Sequence, residues 1–146
     1  ERFVDERDFE SLVRNYFEQY LGQFPAQVFD KINENFIRCS FFELVSRYLS
    51  SCYTFAIEQN NSEGRADFEM TGIPGTDYYT DDRLVEFKYY KAKEAEKMLG
   101  LDAPLPEHVE QVHRYAEDTL RHFPNYKVRT YVVYICANRG WKCWEV

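Results

Sequence analysis

The chain has 146 residues, 45% of them hydrophobic and 18% aromatic, and a formal net charge of −7. This size and composition exclude a disordered tail and fit one folded globular unit with a real core. No run approaches the roughly 20 uninterrupted apolar residues of a membrane helix, and the acidic balance weighs against a protein that coats phosphate backbones with Lys and Arg.

The first residue is Glu1 rather than Met, and no secretory signal pattern follows, so the chain reads as an excerpt of a longer protein. Cys39, Cys52, Cys136 and Cys143 have none of the close paired spacings of a zinc site. They read as free, mostly buried thiols in a cytoplasmic protein. His108, His113 and His122 fall in one helical segment and read as helix-face residues rather than ligands.

In chain order, Phe9, Leu12, Val13, Tyr16, Phe17 and Tyr20 recur at helical spacing, and Pro25 suits the start of a second helix running towards Phe36. These residues, 1–36, form an N-terminal helical extension to a main domain of residues 37–146. A third helix follows, with Ile37, Phe41, Leu44, Val45, Tyr48 and Leu49 as its apolar stripe and Glu43 off it. Strands are expected at about 53–59, 65–72 and 83–90. A short surface helix over 91–99 ends at Gly100, and a longer one spans about 107–122. The densest β-branched and aromatic run, 128–136, is the next strand, and 141–146 a final short one. A crossover helix between the third and fourth strands implies a parallel pairing. The fold class is therefore α/β, a mixed central sheet flanked by helices.

The chemistry concentrates on two of these strands. Turn residues Gly72, Pro74, Gly75 and Asp77 make an antiparallel hairpin of the second and third strands. Residues two apart on a strand share a face, so Glu86 and Lys88 point one way while Val85 and Phe87 point into a core. Asp67 and Glu69 share a face opposite Phe68 and Met70. Two carboxylates and an ammonium that converge can hold a divalent metal and activate a water. Any half-solvated hairpin also alternates charged and apolar residues.

The helix, three-strand, helix, strand order over residues 37–136 resembles the PD-(D/E)XK nuclease superfamily, the restriction-endonuclease-like fold. The run Gly64-Arg65-Ala66-Asp67 with Val85-Glu86-Phe87-Lys88 looks most like the nuclease-like domains at the C-terminal end of bacterial proteins that carry an AAA-ATPase-like region. Gln111 and Tyr115, four apart on the long helix and so on one face, are similar to the Gln-x-x-x-Tyr signature of the RecB-like and exonuclease-like branches. Ala66 stands where the superfamily name puts Pro.

The resemblance implies a nuclease acting on nucleic acid, with DNA the expected substrate, and Mg²⁺ or Mn²⁺ as cofactor. Asp67, Glu86 and the backbone carbonyl of Phe87 would bind the metal, with Glu43 assisting, although Glu43 can equally close a capping box with Ser40. Lys88 would orient and help deprotonate the water or stabilise the developing charge. Gln111 and Tyr115 would position the nucleic-acid backbone or brace Lys88. Arg65 would steady a carboxylate or touch phosphate. The partners implied are nucleic acid and an upstream ATPase region. A rival reading is a nuclease-fold module that binds or assembles without cleaving, and a third is a metal-dependent phosphoesterase acting on small molecules.

Overall fold

The computed structural model describes residues 8–57 and 67–146. Asp8 caps the first helix, α1 (Phe9–Asn15), by accepting the Glu10 N–H at 3.1 Å. The chain then widens into a π-type turn (Tyr16–Tyr20) and tightens into 3₁₀ turns at Leu21–Gln23 and Ala26–Asp30. The expected second helix from Pro25 to Phe36 is thus a single 3₁₀ turn. Asn33 interrupts it, because its side chain accepts the Phe36 N–H at 2.9 Å and starts α2 (Glu34–Leu49) there.

Five strands follow: β1 (Tyr53–Ile57), β2 (Phe68–Gly72), β3 (Asp81–Tyr90), β4 (Lys127–Cys136) and β5 (Gly140–Glu145). Helices α3 (Ala92–Leu99) and α4 (Pro106–His122) lie between β3 and β4. The sheet order is β1-β2-β3-β4-β5, with β3 and β4 parallel and every other pair antiparallel. The β3–β4 crossover through helices is what parallel neighbours require. β3 begins at Asp81, two residues before its sequence pattern suggests, because pairing with β4 starts at Asp81 opposite Lys127.

The β2–β3 connection depends on Gly72. A Cβ there would lie 1.6 Å from the Tyr78 carbonyl oxygen, so only glycine permits this approach.

The pleat of β3 divides the interior. Val85 and Phe87 face a core formed with Phe9, Val13 and Tyr16 from the N-terminal segment and Ile37, Phe41 and Val45 from α2. Leu84 faces the other way, joining Val132, Tyr134 and Cys136 beneath Ala95 and Met98 of α3 and Val112 and Tyr115 of α4. Burying both faces of β4 explains its near-continuous apolar run over 131–136, whereas β3, also largely buried, interleaves the charged Glu86 and Lys88 with apolar Val85 and Phe87. Among the described residues no helix is long and apolar enough to cross a membrane.

Candidate active site

Pairing of Phe68 with Val85 across β2 and β3 brings Asp67, just before β2, level with Glu86 on the same face of the sheet. The Asp67 carboxylate is held from two sides. Its Oδ2 accepts the Phe87 backbone N–H at 3.0 Å, and its Oδ1 accepts Arg38 Nη1 of α2 at 2.8 Å. Both partners of this ion pair are buried.

Glu86 is fully buried, 0% exposed, and neither of its carboxylate oxygens receives a hydrogen bond. Its nearest cation is Lys88, whose Nζ lies 3.4 Å from Oε2, an ion-pair contact. Burial pushes the Glu86 carboxyl up to about 8; the neighbouring Asp67 charge adds to this and Lys88 partly opposes it. Lys88 is pulled down by its own burial, but Glu34, Glu86 and Asp67 together outweigh that and hold it above the ordinary lysine range. It therefore stays an ammonium with these carboxylates around it.

Glu34 Oε2 lies 4.0 Å from Lys88 Nζ, which makes Glu34 the α2 carboxylate nearest this ion pair's cation. Glu43, the expected helix acid, is not brought to the site. Nine residues separate it from Glu34, about two and a half turns, so the two project from opposite sides of α2. Its Oε1 accepts Arg47 Nη2 at 2.9 Å, with both side chains 62% exposed. The role assigned to Glu43 is corrected accordingly.

Phe87 buries its ring in the α2-side core while its N–H secures Asp67. Gln111 and Tyr115 do share a face of α4: Gln111 Nε2 donates to Tyr115 Oη at 2.9 Å, and Tyr115 packs in the core beneath α4. Arg65 lies outside the described residues. His113 and His122 are exposed, whereas His108 is half-buried with its Nδ1 2.6 Å from Tyr134 Oη.

Sequence reasoning missed Arg38, Glu34 and His108. Arg38 carried a usable signal, since it sits three residues before Phe41 and seven before Val45, within the apolar stripe of α2. A cation on a core-facing stripe has to meet a buried anion.

Among the described residues no three His, Cys, Asp or Glu side chains form a ready-made cage for a metal ion. The residues present still fit a hard divalent cation. Mg²⁺ is commonly held by one or two carboxylates, with waters and substrate phosphate completing its shell, and Glu86 is a buried carboxylate lacking any hydrogen-bond donor.

A helix-flanked mixed sheet with facing carboxylates and a lysine on its middle strands is a restriction-endonuclease-like α/β fold. The family model of the PD-(D/E)XK nuclease superfamily matches residues 32–145, and the chain belongs to that superfamily. Its members are generally nucleases that use divalent metal ions. No curated protein matches the chain.

Proposed function

We propose that this chain is a Mg²⁺- or Mn²⁺-dependent nuclease that hydrolyses phosphodiester bonds, with DNA as its substrate. The observation that carries the reading is Glu86, a fully buried carboxylate without a hydrogen bond, level with Asp67 and flanked by Lys88. Removing a carboxylate from water costs several kcal/mol, and the single ion-pair contact from Lys88 at 3.4 Å offsets only part of it. A divalent cation at this point offsets that cost.

Asp67, Glu86 and the Phe87 carbonyl would hold the metal, which when bound lowers the pKa of a coordinated water and screens the phosphate charge. Lys88, kept protonated by its three carboxylate neighbours, serves as a fixed cation for the negative charge that develops at phosphorus, rather than as the base. Glu34 restrains the Lys88 ammonium. Gln111 and Tyr115, tied to each other on α4, position the nucleic-acid backbone. All four cysteines are unpaired thiols, which supports a cytoplasmic setting. The strand motifs at Asp67 and Glu86–Lys88 support an adjoining ATPase-like region as the partner.

The test is cleavage of single-stranded, double-stranded and branched DNA, and of RNA, in Mg²⁺ and in Mn²⁺. Asp67→Ala and Lys88→Ala should each lose about two orders of magnitude or more in rate while still folding, Asp67→Ala at a lowered thermal midpoint because it leaves Arg38 buried without its partner. Wild type that cleaves no better than these variants on any substrate, and that binds no Mn²⁺ by calorimetry, refutes the enzymatic reading in favour of a binding module.

A further inference from the structure

The geometry points to His108 as a substrate-contacting residue, whose Nε2–H donates a hydrogen bond to a non-bridging oxygen of the phosphodiester lying over Asp67, Glu86 and Lys88. The inference rests on the nuclease reading given above.

Tyr134 carries the argument. On β4 it is the register partner of Lys88, so the two side chains stand next to each other on one sheet face. Its hydroxyl, buried beneath α4, meets two groups. It accepts the Leu105 N–H at 2.9 Å and lies 2.6 Å from His108 Nδ1, while the Tyr90 ring packs edge-on against the Tyr134 ring with centroids 5.2 Å apart. An oxygen already accepting from the Leu105 N–H can place its own proton on Nδ1. That arrangement assigns His108 the tautomer with its hydrogen on Nε2, which the imidazole ¹⁵N spectra below test. The ring is held as well, at 90° to the Tyr134 ring with centroids 5.5 Å apart.

Three further observations place His108 within reach of a ligand at the site. His108 is near enough to Lys88 and Asp67 to be influenced by both charges, and burial followed by the Lys88 ammonium lowers its pKa against the opposite pull of Glu107 and Asp67. It is only half-buried, so an edge of the ring is open to a ligand. It also lies in the first turn of a 17-residue helix, where the positive end of the helix dipole favours an anion. Glu107 beside it is exposed and acidic, so the neutral donor, rather than general basicity of this helix end, provides the contact. Three residues on, Gln111 shares this face of α4. The helix thus presents two neutral donors to a phosphate whose charge is met by Lys88.

The experiment compares wild type, His108→Ala, His108→Gln and Tyr134→Phe by steady-state cleavage of the best oligonucleotide substrate. Imidazole ¹⁵N spectra of each protein are recorded with and without a short oligonucleotide in metal-free buffer. His108→Ala should lower kcat/KM about 10- to 100-fold, the value of one hydrogen bond to a charged group. His108→Gln, which keeps an N–H donor, should recover part of the loss at unchanged thermal stability. Tyr134→Phe should release the tautomer, seen as a mixed ¹⁵N pattern. Wild type that cleaves while His108→Ala matches its kinetics overturns the assignment and leaves the nuclease reading standing. If wild type cleaves nothing, the nuclease reading falls. His108 is then decided by the spectra: an oligonucleotide-dependent shift of Nε2 with weaker binding by His108→Ala supports it, and an unmoved resonance overturns it.

Discussion

Replacing Arg38 with Met separates the stability of the site from its affinity for metal. Methionine keeps most of the apolar stem that packs in α2 but removes the guanidinium that donates to Asp67 at 2.8 Å. Asp67 is then left with the Phe87 N–H as its hydrogen-bond donor, in a position only 7% exposed. Removing one partner of a buried ion pair costs about 3–5 kcal/mol. The lower end applies here, because Arg38 Nε is itself without a hydrogen bond and its burial is relieved by the substitution. At about 2–4 °C per kcal/mol for a domain of this size, the metal-free thermal midpoint should fall by about 6–12 °C. With Arg38 gone, the carboxylates of Asp67 and Glu86 lose a competing cation, so the variant should bind Mn²⁺ more tightly. At free Mn²⁺ 100-fold above its dissociation constant the recovery is about 2.7 kcal/mol, most of the deficit. Thermal scans of both proteins across a Mn²⁺ series measure the two effects. A metal-free midpoint within about 2 °C of wild type, or the same Mn²⁺-induced gain in both proteins, would refute the reasoning.

Asp82 is fully buried, and burial followed by the neighbouring Glu69 pushes its carboxyl up to about 8. The folded state therefore keeps a proton that the unfolded state gives up, so this stabilisation is present below the unfolded pKa near 4 and is lost as pH rises towards about 8. Asp82→Asn should accordingly gain stability over wild type between pH 5 and 8.5, and parallel melting curves against pH would contradict this. Glu43→Gln should change stability by no more than about 0.5 kcal/mol and leave cleavage unaltered, since its exposed pair with Arg47 is of the weak i,i+4 kind; a large loss of activity would restore Glu43 to the site. Gly72→Ala forces a Cβ against the Tyr78 carbonyl and should cost several kcal/mol, with circular dichroism melts as the check; a midpoint within a few degrees of wild type would show that the β2–β3 connection can shift.

Strand β4 and helices α3 and α4 were legible because their patterns have one interpretation: a continuous β-branched and aromatic run for a buried strand, and helical stripes closed by Gly100 or opened by Pro106. Strand β3 was legible instead from the alternation of Glu86 and Lys88 with Val85 and Phe87. The N-terminal segment was less so. Apolar residues every three to five positions serve an α-helix, a 3₁₀ turn and a π-type turn alike, and only the Asn33 side chain decides where α2 starts. The helix acid failed for a different reason. Choosing Glu43 because it projects from the apolar stripe selects for solvent, whereas the groups that meet Asp67 and Lys88 at the sheet, Arg38 and Glu34, lie on or beside that stripe. His108 was out of reach, because its partner Tyr134 is 26 residues away and only the fold brings them together.

The net charge of −7 is the main physical objection to a nucleic-acid substrate, and the site weakens it. Asp67, Asp81, Asp82 and Glu86 are buried, so these carboxylates add little to the field outside. Asp67 and Asp81 are balanced internally by Arg38 and Arg83. Burial pushes the Asp82 and Glu86 carboxyls up to about 8, so both carry their charge less readily than exposed carboxylates do. Loading a divalent cation would ionise Glu86 but add two positive charges beside it, leaving Lys88 and the metal as the charges a phosphate meets at the strand ends. On the proposed reading, attraction for the backbone would then come from Lys88 and the metal at the reacting point, which does not require a net basic protein.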